Sequence, residues 1–195
     1  MVARNRVALG LFTDLRNVLS HRRYVHGEPI ATPLAATVAA IERLRDEIVS
    51  PKPALSFAAR TVMTATPVAP LAEVLAQMAV ADISQVPVAH PDGRVDLLTT
   101  NAIARWVADH LEPDGSVLIQ ASRTSDALRY SEGHERVKLV KRTATVAAVL
   151  DLLTRTDPPT AVLITEAGRG TAQPLGILWA SGHPKLVAAV TVEAY

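Results

Sequence analysis

Groups able to attack, titrate or hold a metal are few in this chain, and their spacing restricts what they can do. Cysteine is absent, which removes thiolate ligands, a cysteine nucleophile and any disulfide frame. His90, His110, His134 and His183 show no metal-ligand spacing with one another or with carboxylates, and read as surface or cap residues. His21 and His26, five apart near Glu28, come nearest to a metal pair, but the reading is that no metal is bound. Arg16 and His21 are also five apart, so a regular helix turns them about 140° from each other. Around them Arg4, Arg6, Arg22 and Arg23 outweigh Asp14 and make a locally basic end. Gly168-Arg169-Gly170 lacks the Lys-Ser/Thr that would complete a phosphate loop, and reads as a turn. Thr99-Thr100-Asn101 has two uses: ligand contact, or capping the free N–H groups of a helix that starts near Ala102.

The elements that carry these residues form an internal repeat. Leu71 to Met78 lines up with Val146 to Leu153 at a shift of 75 positions, with apolar residues on the same four slots. Each helical run is followed by a β-like run, Gln85-Val86-Pro87-Val88 in one copy and Thr160 to Ile164 in the other. A glycine turn comes next, at Asp92-Gly93 and at Gly168, and then a second strand, Val95 to Thr99 and Leu175 to Trp179. The later turn is five residues longer. Two αββ units of this kind pack together, because each alone leaves an apolar sheet face wet.

Composition sets the limits. With 195 residues, 49% hydrophobic and 20% charged, the chain builds one duplicated domain with an appendage rather than a large enzyme. Aromatics are only 4%, so small aliphatic side chains must fill the core. A formal charge of +1 argues against a nucleic-acid surface spread over the whole molecule. No apolar run approaches the roughly 18 residues of a spanning helix, and no apolar stretch precedes a cleavage site at the N-terminus, so the expected location is the cytoplasm.

Along the chain, residues 1–50 read as a helical segment, with Leu11, Phe12, Leu15, Val18 and Leu19, then Leu34, Val38, Ile41, Leu44 and Ile48, at helical spacing. Gly27 to Pro33 breaks it into two helices, and Ser50-Pro51-Lys52-Pro53 closes it. Residues 54–112 form the first unit, with a short strand expected at Thr61 to Thr64 and a helix from Ala102 to Leu111. Residues 113–135 are a polar connector with some order near Val117 to Ile119. Residues 136–195 form the second unit, whose helix Pro158-Pro159 terminates.

These motifs, Val62-Met63-Thr64, Ile83-Ser84-Gln85-Val86-Pro87-Val88 with Asp92-Gly93, and Leu97-Leu98-Thr99, resemble a CBS-domain pair. The resemblance covers roughly two thirds of the chain. It implies an α/β (α+β) fold of two βαββα units about a pseudo-twofold axis, preceded here by a helical extension. It further implies a regulatory, non-enzymatic protein that binds an adenosine-containing ligand, such as AMP, ADP, ATP or S-adenosylmethionine, between the units; exposed apolar helix faces are expected to make it a homodimer. The residues it points to are Thr64, Ser84, Val86, Pro87, Thr99 and Asn101. The family's ribose-gripping aspartate is replaced by Ala102 in the first copy and Gly182 in the second, and Trp179 replaces the strand-ending hydroxyl. Losing a charged acceptor costs on the order of 1.5–3 kcal/mol per site, so a purely structural pair with no ligand stands as an alternative.

The segment Asp14-Leu15-Arg16-Asn17-Val18-Leu19-Ser20-His21 resembles the Arg-x4-His signature of HEPN proteins, helical domains that include metal-independent ribonucleases. That resemblance implies a HEPN-like remnant. As an alternative function it implies RNA cleavage, in which Arg16 stabilises charge on the phosphate, His21 transfers a proton and Asn17 orients them. Only about fifty residues precede the proline boundary, too few for the usual bundle of four or more helices. Nucleic acid is a partner only under this alternative.

Overall fold

The computed structural model describes residues 5–21, 31–170 and 173–190. Arg4, Arg22, Arg23, His26 and Glu28 lie outside them. Two helices, α1 (Arg6–His21) and α2 (Ala35–Val49), open the fold. They pack through Leu9 and Phe12 of α1 against Ala40 and Leu44 of α2. Lys52 follows, and its Nζ lies 2.9 Å from both Glu47 Oε1 and the Ala189 carbonyl, tying the end of α2 to the last helix.

The first unit consists of α3 (Leu71–Val80), the hairpin β1 (Gln85–Ala89) and β2 (Val95–Thr99), and α4 (Thr100–Asp109). The strands are antiparallel, with Gln85 opposite Thr99 and Ala89 opposite Val95. Leu71, Val74 and Met78 on one face of α3 meet Val86, Val88 and Leu98 from the sheet and Trp106 from α4, which is the helical period registering against the strand period. Within the connector, α5 (Thr124–Leu128) adds Ala127 to this core, and Val117 and Ile119 pack against it from irregular backbone.

The second unit has β3 (Val137–Lys141) parallel to β4 (Ala161–Thr165), which is antiparallel to β5 (Pro174–Trp179). Helix α6 (Val146–Leu153) makes the crossover and α7 (His183–Val190) covers it. Thr145 caps α6 by accepting the Ala148 N–H, as Thr99 caps α4 through Ala102. Helix α6 ends at Leu153, ahead of the expected stop at Pro158, with the Thr154 hydroxyl bonded back to the Leu150 carbonyl.

The units exchange the segments that lead into their helices. Ala54 N–H donates to Ala144 O and Val146 N–H to Lys52 O, so the chain before the first unit edges the second. In the mirror arrangement, Leu71 N–H donates to Ser122 O and Thr124 N–H to Ala69 O, so the connector edges the first. The expected strand at Thr61 to Thr64 does not form. Ala59 bridges to Ile177 in the second unit and Ala65 to Val88 in the first, so the intervening backbone crosses between sheets and pairs with neither. A third apolar cluster joins the units, with Val62 and Val95 packed against Ala161, Leu163, Ile177, Leu139 and Trp179. Among the described residues no helix is long and apolar enough to cross a membrane.

Candidate functional site

The end of α3 determines one wall of a cleft between the units. Asp82 adopts a left-handed backbone with φ 50°, Asp82 N–H donates to Ala79 O and Ile83 N–H donates to Met78 O. This is a Schellman stop, sealed by Ile83 and Met78 in the same core cluster. It turns the chain sharply into β1 and sets Asp82, Ile83, Ser84 and Gln85 along one side. The end of β5 supplies the other side, Trp179 and Ser181, and the enclosed volume is about 210 Å³.

The cleft is lined by both polar and aromatic groups. Gln85 Oε1 is buried and has no hydrogen-bond partner. Trp179 is half-buried and offers an indole surface at the edge of the inter-unit cluster. Ser84 and Ser181 bring hydroxyls and Asp82 a carboxylate. Gly182 opens onto free space, so nothing covers the position next to Ser181.

The six residues singled out by sequence do not gather here. Ser84 lines the cleft, while Val86 and Pro87 are buried behind it in β1 and Thr64 is exposed. Asn101 is exposed on the first turn of α4. Thr99 is 4% exposed, and its hydroxyl is already used, accepting from Ala102 N–H at 3.0 Å and donating to Glu135 Oε1 at 2.6 Å. Ser84 lines this cleft together with Trp179 and Ser181, the second-copy counterparts of Thr99 and Asn101. The repeat alignment already contained that signal, since a twofold arrangement crosses the copies. Asp82 and Gln85 carried no comparable signal.

Glu135 was also not singled out. It is 6% exposed, and its carboxylate collects the Thr99 hydroxyl, the Glu132 N–H at 2.7 Å and Arg105 Nη1 at 3.3 Å. Burial pushes its carboxyl up, but the bonds from Thr99, Glu132 and Arg105 outweigh that and hold it below the ordinary carboxylate range. Arg105 is fixed in turn by Glu132 at 2.6 Å and the Tyr130 carbonyl at 2.8 Å.

On α1, Arg16 Nη1 donates to Asn17 Oδ1 at 3.2 Å, and Arg16 lines an otherwise largely apolar groove of about 550 Å³ between α1 and α2. His21 is the last residue of α1, and among the described residues no hydrogen bond joins it to Arg16. No group of three histidine, aspartate or glutamate residues able to hold a metal occurs among the described residues.

No family model matches this sequence, and no curated protein matches it. Solved structures do. The CBS domain of a bacterial CNNM/CorC family Mg2+ transporter in complex with ATP aligns over 79% of this chain and 96% of its own, with 12% identity and a TM-score of 0.51. A CBS domain of that transporter family in complex with an inhibitor aligns over 97% of this chain and 99% of its own, with 11% identity and the same TM-score of 0.51. A CBS domain-containing protein of unknown function from Bacillus anthracis str. Ames Ancestor aligns over 71% and 94%, with 13% identity and a TM-score of 0.50. At these identities the likeness is one of fold.

Proposed function

We propose that this chain, a tandem CBS pair in fold, is a non-catalytic regulatory module that binds an adenosine-containing compound in the cleft formed by Ser84, Gln85, Trp179 and Ser181. The observation that carries this reading is the buried, partnerless Oε1 of Gln85, a residue that lines the same cleft as Trp179. An adenine stacked on the indole presents an exocyclic amine to such an acceptor, and a ribose diol finds Asp82, Ser84 and Ser181 close by. The ATP held by the CBS domain of the transporter family supports the ligand class, with AMP, ADP and S-adenosylmethionine as related candidates. Because the cleft takes one wall from each unit, a ligand that prefers one arrangement of the units shifts the population toward it. The Lys52 tie from Glu47 to Ala189 would carry that shift to the N-terminal helices.

Calorimetric titration with AMP, ADP, ATP and S-adenosylmethionine tests the reading. Binding weakened by Trp179→Ala and by Ser181→Ala supports it, and absence of heat at millimolar ligand sinks it. The homodimer belongs to the same proposal, through apolar side chains left exposed on the first two helices, among them Leu11, Val38, Ile41 and Ile48. Ultracentrifugation over a concentration series reads it directly. Arg16 bonded to its neighbour Asn17 and lining an apolar groove gives the ribonuclease alternative no support.

A further inference from the structure

We propose that the pocket at the end of β2 is an anion site whose native occupant is the chain's own Glu135 carboxylate, held by Thr99, Arg105 and the Glu132 N–H, so that this end of the molecule is closed to a second ligand. Three donors from two segments converge on one carboxylate: a hydroxyl at the N-cap of α4, a guanidinium six residues further along α4, and a backbone N–H of the connector. The side chain is only 3% exposed, so these donors hold it away from bulk solvent. A ten-residue helix begins at this point, and its free N–H end favours negative charge there. Ser131 Oγ bonding the Leu97 carbonyl and Arg105 bonding the Tyr130 carbonyl hold the 130–135 turn against β2 and α4.

The carboxylate is tethered where it matters. The next residue, Arg136, bridges to Asp96, accepts the Thr160 N–H at its carbonyl and pairs with Asp157. Occupancy of the pocket therefore positions the start of the second unit. With Glu135 removed, a small carboxylate such as formate offers Thr99 and Arg105 the same acceptors.

Chemical rescue tests this without reference to nucleotide binding. Glu135→Ala should lower the melting temperature by roughly 4–8 °C, the loss of one charge-assisted network in a domain of this size. Formate should restore most of that loss relative to chloride at matched ionic strength. It should do so neither in the wild type, whose pocket is filled, nor in Glu135→Ala with Arg105→Ala. Equal effects of formate and chloride on Glu135→Ala would overturn the proposal. Should Glu135→Ala fail to fold, Glu135→Gln keeps the volume and removes the charge. It should melt below the wild type with a flatter acid limb, and identical melting and an identical acid limb would overturn the proposal equally. A protein that shows formate rescue but binds no nucleotide would keep this inference and discard the cleft reading.

Discussion

The ends of β2 and β5 occupy corresponding places in the two copies of the repeat, and the structure treats them in opposite ways. At the end of β2, Thr99 is buried and bonded to Glu135, and the connector turn lies over it. At the end of β5, Trp179 stands half-buried at the rim of a cleft, with Gly182 opening onto free space. A hydroxyl invites a polar cover that can be satisfied only from outside its own strand, and the connector provides one. An indole satisfies most of its surface by lying on the apolar cluster and needs no cover. One exchanged residue, together with the segment available to cover it, separates a closed end from an open one within a single duplicated fold.

The strongest way to break this comparison is to ask whether the halves are energetically separate at all. Leu71 in α3 and Leu150 in α6 are both fully buried, one in the core of each unit, and truncating either to alanine should cost about 2–5 kcal/mol. The two tryptophans report separately, Trp106 from the first core and Trp179 from the junction. Because segments are exchanged between units, either truncation should shift one common urea transition seen by both fluorophores. Two transitions, with only the damaged half moving, would mean the ends of β2 and β5 evolved in independent modules.

Next in size is the exchange itself. A Cβ built on Gly176 meets Ala58 Cβ at 2.8 Å and the Ala59 carbonyl at 3.1 Å, so β5 tolerates only glycine where the leading segment crosses it. Gly176→Ala should destabilise by about 1–3 kcal/mol through overpacking, measured by chemical denaturation. A neutral result would show that the 54–59 segment is loosely held and that the second unit stands without it.

The closed end sharpens the contrast through pH. Glu135 has its carboxyl held below the ordinary value in the folded protein, so its contribution is fully present above the unfolded-state value and is lost as pH falls through the folded one. Melting temperature should therefore drop on the acid side in the wild type and drop less in Glu135→Gln. Thr99→Val removes both the bond to Glu135 and the cap on Ala102, and should cost about 1–2 kcal/mol.

Much of this architecture was legible beforehand, and the parts that were not have a common cause. Period and punctuation revealed α3, β1 and β2, α6 and β5, since each is set by its own apolar spacing and flanking turns. The 61–64 stretch reads as a strand by composition, yet its two ends pair with different units and leave the middle unpaired. Glu135 sits in a polar stretch and reads as a solvated charge. It is buried because it finds a hydroxyl 36 residues earlier, which no local pattern encodes. The candidate cleft was half-visible for the same reason: Ser84 lay in a recognisable motif, but its neighbours came from the other copy.

The smallest effect is the most discriminating, because its two parts have opposite signs. Gln85 Oε1 is buried without a partner, an arrangement that costs stability unless a ligand completes it. Gln85→Leu keeps the approximate shape and removes the stranded acceptor, so the free protein should gain somewhat less than about 1 kcal/mol. If that acceptor exists for an adenine amine, AMP affinity should fall about tenfold in the same variant, equivalent to about 1.4 kcal/mol. Stability and affinity are read from one preparation, by melting and by calorimetry. A variant that is more stable and binds AMP as well as the wild type would make Gln85 a mere packing defect. One that is less stable would show the amide is serving the fold, and in either case the open end of β5 would lose its claim to be built for a base.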